Sequence, residues 1–445
     1  MNHDLLVIGG GWAGIAAAVE ATRRGRRVTL VEAHGYLGGR ARSFVDRTTG
    51  EEIDNGQHVA MGCYHAFLQT VSSMKIENAF RMQAATRVVF ADVFGRRDVL
   101  DASKLPGKLG IAWGIMKLKH ISLSGRLAVL RLARRVQSPH FDASELTCLE
   151  FLRGQGQTTD AIERFWEPII LATLNAPMAQ AAASLLVTVL RRAFFGSKTD
   201  GGIYIPRNGL STLSEPLTEW LSDRGGRVLV STTIERFVVE GDRVSGVVLS
   251  NGEEHTAAEV IVAIPQRSVL RLIEASLTGD ARPHDVYAQV EFSPIISVFL
   301  WYDRAWMTDE FVAALGTRIQ WVFNRRMLVD APTDVVLRYP GHVSVTVSAA
   351  AEFAAEPIEA IIQSCDRELR SLFADMQGVT LLHGIVVKEK QATPLITPKN
   401  ENRRPSATTG WTNVFLAGDW TDTGLPATLE GAALSGLRAV DLLRL

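Results

Sequence analysis

The N-terminal stretch constrains the fold of this 445-residue chain more than any other part. An apolar run, 5–8, breaks into the pattern Gly9-x-Gly11-x-x-Gly14, and small apolar residues follow at 15–19. This order predicts a strand, a tight turn and a helix. Gly9 permits the turn, Gly11 lets backbone N–H groups approach a diphosphate, and Gly14 lets helix and strand pack closely. The N-terminus of the helix would then offer unpaired donors to the phosphates.

The residues after this helix favour the same interpretation. Gly25 follows two arginines and closes the helix, and a second apolar run, 28–31, ends in Glu32. An acidic residue at the tip of the second strand is placed to accept hydrogen bonds from ribose hydroxyls. We therefore predict a dinucleotide site. The alternative is a βαβ unit without a nucleotide, because glycine-rich turns also arise for structural reasons.

Composition excludes some other functions. A formal net charge of -1 and a pI near 6.8 give no general field for nucleic acid, so we expect no nucleic-acid partner. Cys63, Cys148 and Cys365 lie far apart and form no CxxC pair. We therefore predict neither a disulfide framework nor a metal site, and the cysteine usage fits a reducing cytoplasm.

A second glycine-rich turn follows Glu32. Arg40 directly follows Gly38 and Gly39, and Arg42 lies two residues further on. A guanidinium group suits a diphosphate because it can donate two parallel hydrogen bonds. A solvated loop with surface charges is the alternative. Together, the two glycine turns and Glu32 resemble the flavin-containing amine oxidase and phytoene desaturase superfamily, which binds FAD rather than NAD.

The resemblance implies an α/β fold and a division of the chain. The Rossmann-type FAD-binding domain, of the glutathione-reductase and amine-oxidase type, would be discontinuous. An inserted α+β substrate domain with a mixed sheet and helices would interrupt it. We assign residues 1–66, 200–286 and 395–445 to the FAD-binding domain, and residues 67–199 and 287–394 to the substrate domain.

The C-terminal motif is the most specific one after the first. A buried strand, 414–417, ends in Gly418-Asp419, and a helix follows. In the family this aspartate bonds the ribityl chain, and the helix N-terminus points at the flavin N1/O2 edge, where reduced flavin carries negative charge. The resemblance implies cofactor contacts from Gly9, Gly11, Trp12, Ala13, Gly14, Glu32, Ala33, Gly38, Gly39, Arg40, Gly56, Gln57, His58, Ile234, Pro265, Gly418, Asp419, Thr428, Leu429 and Gly431.

Two stretches indicate a subfamily. Residues 54–58 with 62–64, and residues 418–431, resemble the hydroxysqualene dehydroxylases of bacterial hopanoid synthesis. The implied reaction removes the hydroxyl of hydroxysqualene, an apolar C30 isoprenoid, and leaves squalene; the sequence does not identify the electron donor. A carotenoid or phytoene desaturase is the main alternative. An amine oxidase is less favoured, because such enzymes usually carry a lysine where this chain has Ser297. A non-catalytic isoprenoid-binding relative is also less favoured, because its flavin motifs would have lost key residues, whereas here they are intact.

An acid near the flavin is the further requirement of this reaction, since hydroxide is a poor leaving group. Asp54, His58 and Glu430 lie on motifs that the family brings near the flavin, and we favour His58 or Asp54 as the proton donor. Each has a structural alternative. Asp54 would brace its loop, His58 would hydrogen-bond within the core, and Glu430 would complement the helix dipole.

The segment predicted to form the substrate domain carries two further patterns. Residues 104–135 form a basic amphipathic stretch, typical of a solvated helical face or of a helix on an anionic membrane. Residues 168–190 carry no charge over 23 positions, and we interpret them as two buried helical pieces beside an apolar cavity. We therefore predict a cytoplasmic protein that is peripheral on the inner face of the membrane. Residues 335–337 have the composition of a strand.

Overall fold

A computed structural model describes residues 2–83, 86–105, 107–138, 140–197, 199–276 and 290–444. The strands are β1 (Asn2–Ile8), β2 (Val28–Val31), β3 (Ser43–Val45), β4 (Glu52–Asp54), β5 (Ala60–Met61), β6 (Phe80–Gln83), β7 (Arg87–Asp92), β8 (Arg97–Asp101), β9 (Ile203–Pro206), β10 (Arg227–Leu229), β11 (Ile234–Glu240), β12 (Arg243–Leu249), β13 (Glu254–Val262), β14 (Phe292–Tyr302), β15 (Phe311–Leu315), β16 (Trp321–Asn324), β17 (Gly341–Ser348), β18 (Leu381–Pro394) and β19 (Val414–Leu416).

The helices connect these strands and cover the sheets. They are α1 (Trp12–Arg23), α2 (His65–Ser73), α3 (Lys108–Lys117), α4 (Leu123–Arg135), α5 (Cys148–Gly154), α6 (Thr159–Ala161), α7 (Glu167–Leu174), α8 (Ala183–Phe195), α9 (Leu217–Ser222), α10 (Gln266–Ser276), α11 (Arg325–Leu328), α12 (Thr333–Arg338), α13 (Ala351–Ala355), α14 (Ile358–Leu372) and α15 (Leu429–Asp441). A π-helical turn, Ile162–Trp166, joins α6 to α7.

The first sheet has the strand order β10-β2-β1-β13-β12-β11, and β19 pairs with the C-terminal part of β13. Strands β10, β2, β1, β13 and β19 are parallel, while β11 and β12 form an antiparallel meander with β13. Helix α1 links β1 to β2, and α15 packs on α1. A Cβ atom built on Gly436 would lie 2.2 Å from the Ala13 carbonyl oxygen, so this glycine permits the close helix contact. Gly436 therefore faces α1.

The second sheet has the order β18-β14-β17-β16-β15-β7-β8. Side chains alternate between its faces. Val298 and Leu300 of β14 pack with Ile361 of α14 in one apolar cluster. Phe299 and Trp301 point the other way and pack with Ile53, which precedes Asp54 at the end of β4. This second face of β14 therefore lies against the chain segment in which sequence analysis predicts catalytic residues.

The uncharged run 168–190 folds as predicted into two helical pieces. Helix α7 ends where Asn175 adopts a left-handed conformation with φ of +47°, and α8 begins at Ala183. Both helices pack in one apolar cluster with the Ile115 and Leu132 side chains of α3 and α4. Within the described ranges no helix combines the length and apolar character needed to cross a bilayer.

The strand composition at 335–337 gives a wrong prediction, because these residues lie in helix α12. Pro332 precedes the helix, and Asp334 lies in its first turn, where a negative charge is favourable. Val335 is buried while Leu337 is 76% exposed, so the run does not alternate as a strand would.

The fold class is the predicted one, an α/β fold with a Rossmann-type sheet, a second, mixed sheet and a helical region. The division into two domains stays a prediction. Every strand of the first sheet falls within the three segments assigned to the FAD-binding domain, and every strand of the second within the other two. A small sheet of β5, β9 and β6 joins the two groups. The predicted boundary between residues 286 and 287 lies outside the described residues.

Candidate functional site

The two glycine-rich turns lie against each other. The Gly38 N–H donates to the Gly10 carbonyl at 2.8 Å, and Gly11 forms a parallel bridge with Gly38. A Cβ atom on Gly39 would lie 3.0 Å from the Gly11 Cα atom. Both predicted diphosphate-binding turns are therefore parts of one surface, although 27 positions separate Gly11 from Gly38 in the sequence.

The three glycines of the first turn differ in the space around them. A Cβ atom on Gly9, where φ is +106°, would lie 2.4 Å from the Ala263 carbonyl oxygen, and one on Gly14 would lie 1.9 Å from the Gly9 carbonyl oxygen. A Cβ atom on Gly11 would meet only Gly39, at 4.0 Å. An open hollow therefore lies in front of Gly11 at the N-terminus of α1, where backbone N–H groups point outwards. This hollow fits a diphosphate.

Glu32 is fixed at the tip of β2. Its carboxylate is buried and accepts from the backbone N–H groups of Gly10 and His34, each at 2.7 Å. The Thr232 N–H donates to the Glu32 carbonyl at 2.9 Å, which brings the segment before Ile234 beside this strand end. Ala33, the next residue in the chain, is exposed. A carboxylate so held keeps lone pairs for further donors such as ribose hydroxyls.

Arg40 and Asp419 meet although 379 positions separate them. The Arg40 guanidinium donates to the Asp419 carboxylate at 2.5 Å and to the Ala392 carbonyl at 2.7 Å. The Gly418 N–H donates to the Ser435 hydroxyl at 2.7 Å, which ties the end of β19 to α15. The predicted partners of the diphosphate and of the ribityl chain are thus in direct contact.

Arg404 holds the loop between Asp419 and α15, and sequence analysis missed it. Its guanidinium donates to the carbonyls of Asp419, at 3.0 Å, of Thr421, and of Leu425, at 2.7 Å. Burial lowers the pKa of this group from its usual value. No motif identifies Arg404, because its partners are backbone carbonyls, which any residue type provides.

The N-terminus of α15 is capped by the side chain of Thr428. The Thr428 hydroxyl accepts from the Gly431 N–H at 3.2 Å, and Leu429 begins the helix. A Cβ atom on Gly431 would lie 2.5 Å from the Pro426 carbonyl oxygen, so the turn needs glycine there. Pro265 lies between β13 and α10 and follows Ile264, whose carbonyl accepts from Trp420 at 3.1 Å.

Trp12 begins α1 and is buried. Its ring packs edge-on against Phe67 of α2, with centroids 4.6 Å apart. Ala13, also buried, lies in the contact between α1 and α15. Sequence analysis expects cofactor contacts from both residues, and these can come only from backbone groups, since both side chains are packed in the core.

Asp54 is fully engaged by donors. Its Oδ1 accepts from the Ser43 hydroxyl at 2.8 Å and from the Leu210 N–H at 2.9 Å, and its Oδ2 lies 3.3 Å from the guanidinium of Arg325. The Arg325 side chain is completely buried and also reaches the Glu52 carbonyl. These contacts agree with the structural alternative for Asp54, in which it braces its loop.

The loop after Asp54 presents Gly56, Gln57 and His58. Gln57 Oε1 accepts from the Ser344 hydroxyl at 3.3 Å, and His58 Nδ1 lies 2.9 Å from the Gly56 carbonyl. Because a carbonyl only accepts, this nitrogen must carry the hydrogen. Burial lowers the pKa of His58 and so favours the neutral ring. In the neutral ring Nε2 carries a lone pair and can accept a proton.

Glu430 belongs to a separate group at the start of α2. Its carboxylate accepts from Arg192 of α8 at 2.7 Å and from the Phe67 N–H at 3.1 Å, in the first turn of α2. Burial raises the pKa of Glu430, although both donors favour the charged form. Arg192 also donates to the Cys63 carbonyl at 2.9 Å. Glu430 therefore links three helices, and burial raises the pKa of the neighbouring Cys63 thiol to about 12.

A pocket lies beside this second group. Its walls come from β5, α7, α8 and the turn before α15, and it borders Thr428 and Glu430. The lining residues are Met61, Cys63, Tyr64, Thr173, Thr188, Val189, Arg192, Ala193, Leu425, Pro426, Thr428 and Glu430. The predicted site residues thus form two linked clusters, one around Arg40, Asp419 and Asp54, and one around Thr428 and Glu430.

This architecture defines the class of the protein. A Rossmann-type unit whose helix faces an open diphosphate hollow, with a C-terminal helix returning to the same surface, is the arrangement of an FAD-dependent oxidoreductase. The chain belongs to the family of flavin containing amine oxidoreductases, which it matches over residues 12–444.

Individual relatives and solved structures agree with this class. The chain is 28% identical to the hydroxysqualene dehydroxylase of Zymomonas mobilis, with 98% of both chains covered. It is 24% identical to a zeta-carotene desaturase of Arabidopsis thaliana, covering 97% of this chain and 84% of that one. The crystal structure of an oxidoreductase from Methanosarcina mazei superposes with a TM-score of 0.75 at 16% identity, covering 99% of this chain and 100% of that one.

We expect Gly11→Ala to fold normally and to lose FAD. Its Cβ atom has room in the protein alone, but it would occupy the hollow in front of α1. The free energy of unfolding of the flavin-free protein, measured by thermal unfolding, should change by less than about 0.5 kcal/mol. The flavin absorbance per mole of purified protein should fall at least several-fold. Gly410→Ala, at another open position, is the matched control and should keep its flavin. Full occupancy in Gly11→Ala would mean that the diphosphate lies elsewhere.

Proposed function

We propose that this protein removes the allylic hydroxyl of hydroxysqualene by reduction and so produces squalene. The observation that carries the proposal is the full-length similarity to hydroxysqualene dehydroxylases, which covers 98% of both chains. Residues 54–58 and 418–431, the stretches with the subfamily resemblance, also lie on the two linked clusters of the site. Similarity over the whole length supports a shared substrate class more strongly than a match confined to the cofactor motifs would.

The reaction balances as follows. The C–O bond of the alcohol breaks, the departing oxygen gains a proton and leaves as water, and the carbon gains a hydride. A reduced FAD, held by the backbone groups around Gly11, would supply that hydride and would be oxidised in turn. Because the alcohol is allylic, the positive charge that develops on carbon is delocalised. The chain must therefore bind an apolar molecule, keep bulk water out and help the oxygen leave.

For the cofactor we propose that backbone groups do most of the binding. The N–H groups at the start of α1 and the turn at Gly38-Gly39 would hold the diphosphate, with Glu32 on the ribose and Asp419 on the ribityl chain. Arg40 would exchange part of its contact with Asp419 for the diphosphate. Of the remaining predicted contacts, Ile234 begins β11 of the same sheet, and Pro265 directly precedes α10.

His58 is the residue that we propose as the proton donor to the leaving oxygen. Asp54 and Glu430 accept from buried donors in the structure, so neither has a proton aimed at a ligand. Among the described residues nothing hydrogen-bonds to His58 Nε2, so this nitrogen can be protonated before the substrate enters and can then donate that proton to the leaving oxygen. Since burial lowers the pKa of His58, a proton on Nε2 is held weakly and is readily passed on.

A carotenoid-type desaturase is the second candidate function. The 24% identity to a zeta-carotene desaturase over 97% of this chain favours it over an amine oxidase. A desaturase would bind a similar apolar chain and move electrons in the opposite direction. The two candidates differ in whether the site must recognise an oxygen atom.

We expect the purified, FAD-loaded protein, reduced with dithionite without oxygen, to convert hydroxysqualene to squalene. Phytoene given to the oxidised protein should be recovered unchanged. Gas chromatography with mass spectrometry of the extracted lipids distinguishes the products. Heat-inactivated protein with the same reductant is the control for uncatalysed loss of the alcohol. New conjugated double bonds in phytoene, with hydroxysqualene untouched, would favour the desaturase.

Membrane association is a further part of the proposal, because a C30 isoprenoid resides in the bilayer. Between residues 102 and 141 the chain has eight Lys or Arg and no Asp or Glu. Apolar side chains of α3 and α4 are exposed in the same region, among them Leu109 at 65% and Leu123 at 58%. Helix α8, which lines the pocket, packs on α3. This arrangement supports transfer of substrate from an anionic membrane surface past α3 to the pocket.

We expect the protein to bind vesicles of phosphatidylcholine containing about a third phosphatidylglycerol, and to dissociate at high salt, because each Lys or Arg near an anionic surface contributes about 1 kcal/mol. Leu109→Glu together with Leu123→Glu should weaken binding at least tenfold. Leu337→Glu changes an exposed leucine of α12 and is the matched control. Co-sedimentation measures all three. Equal binding by the double variant and the control would exclude α3 and α4 as the contact.

A further inference from the structure

Three buried polar atoms lie in a row across the second sheet. Ser297 of β14 pairs directly with Thr346 of β17, and Thr346 pairs directly with Trp321 of β16. Directly paired residues of neighbouring strands point to the same face of a sheet. We call Ser297, Thr346 and Trp321 the polar row.

The row lacks hydrogen-bond partners among the described residues. Ser297 Oγ, Thr346 Oγ1 and Trp321 Nε1 are each shielded from solvent and make no hydrogen bond there. Ser297 is only 1% exposed. A buried polar group left without a partner destabilises a fold, so native proteins rarely keep several side by side. Such a row is explained most simply by a polar ligand that completes its hydrogen bonds.

The row faces the loop of residues 55–58. A Cβ atom built on Gly56 would lie 3.5 Å from Ser297 Oγ and 3.8 Å from the His58 ring. Ser344, two residues from Thr346 on the same face of β17, donates to Gln57. The row therefore begins beside the residue that we propose as the proton donor.

The surroundings of the row restrict what it can bind. Val387 pairs with Ser297 on one side, and Ala313 pairs with Trp321 on the other, so apolar residues bound the row at both ends. The row itself carries no charge. Two hydroxyls and an indole N–H are neutral donors, which suit a neutral oxygen with lone pairs better than a phosphate or a carboxylate.

From this geometry we infer that the polar row is the recognition site for the hydroxyl of the isoprenoid alcohol. This inference rests on the proposed function and extends it, since it names the residues that distinguish an alcohol from a hydrocarbon. Ser297 and Thr346 donate to the alcohol oxygen and stabilise the negative charge that develops on it as the C–O bond breaks. A desaturase substrate, which has no oxygen, would leave the row unsatisfied and would bind less well.

The test compares Ser297→Ala and Thr346→Val with Ser364→Ala in the FAD-loaded full-length protein. Ser364 is a buried serine of α14, on the opposite face of the same sheet, and serves as the control. Three quantities are measured: kcat/KM for hydroxysqualene, the Kd of squalene from the change in flavin absorbance, and the unfolding temperature. Squalene is the probe for a chain of the same length without a hydroxyl.

We expect each row variant to lower kcat/KM for the alcohol about 2- to 13-fold, the effect of one lost neutral hydrogen bond. The Kd of squalene should change less than about twofold, and the unfolding temperature should stay equal or rise, because an unsatisfied hydroxyl has been removed. Ser364→Ala should leave kcat/KM unchanged.

Four results would overturn the inference. Equal losses for alcohol and squalene would make the row a general part of the wall, and a lowered unfolding temperature would give it a structural role. Unchanged kcat/KM in both variants, with active wild-type protein, would refute the assignment of the polar row as the recognition site and would leave the proposed function standing. Wild-type protein that forms no squalene would refute the proposed function and this inference together.

Discussion

The buried contact between Asp54 and Arg325 holds together the parts of the structure on which the site depends. Asp54 ends β4, in a segment predicted to belong to the FAD-binding domain, and Arg325 follows β16 of the second sheet. The neighbouring pair repeats the connection, because Arg326 binds both carboxylate oxygens of Glu51, at 2.8 and 3.0 Å. Removing one partner of such a buried pair typically costs about 3–5 kcal/mol. The position of the loop that presents Gln57 and His58 relative to the second sheet therefore rests on these arginines.

Much of the cofactor site could be predicted from the sequence because its determinants are local. Gly9, Gly14 and Gly431 each meet a backbone oxygen within 2.5 Å of where a Cβ atom would lie, so these positions demand glycine. Because only glycine fits at these positions, the requirement is visible in the sequence as a glycine motif. The division of the uncharged run 168–190 into two helical pieces could also be predicted, because Asn175 and Pro177 interrupt it where α7 ends.

The rest could not be predicted because it depends on contacts between distant segments. Arg325 and Arg404 bind an aspartate and backbone carbonyls whose proximity only the fold creates. The polar row requires the register of β14, β17 and β16, which no single strand reveals. The strand prediction at 335–337 failed for the related reason that local β-propensity yields to exposure and to the start of a helix after Pro332.

The central claim of this account is that the protein reduces a carbon–oxygen bond at one defined carbon. The most direct measurement is the position of deuterium in squalene formed by the dithionite-reduced protein in D₂O, where the transferable hydrogen of the reduced enzyme exchanges with solvent. The account predicts one deuterium, at the former carbinol carbon. Unlabelled squalene, or deuterium at the far end of the allylic unit, would contradict it.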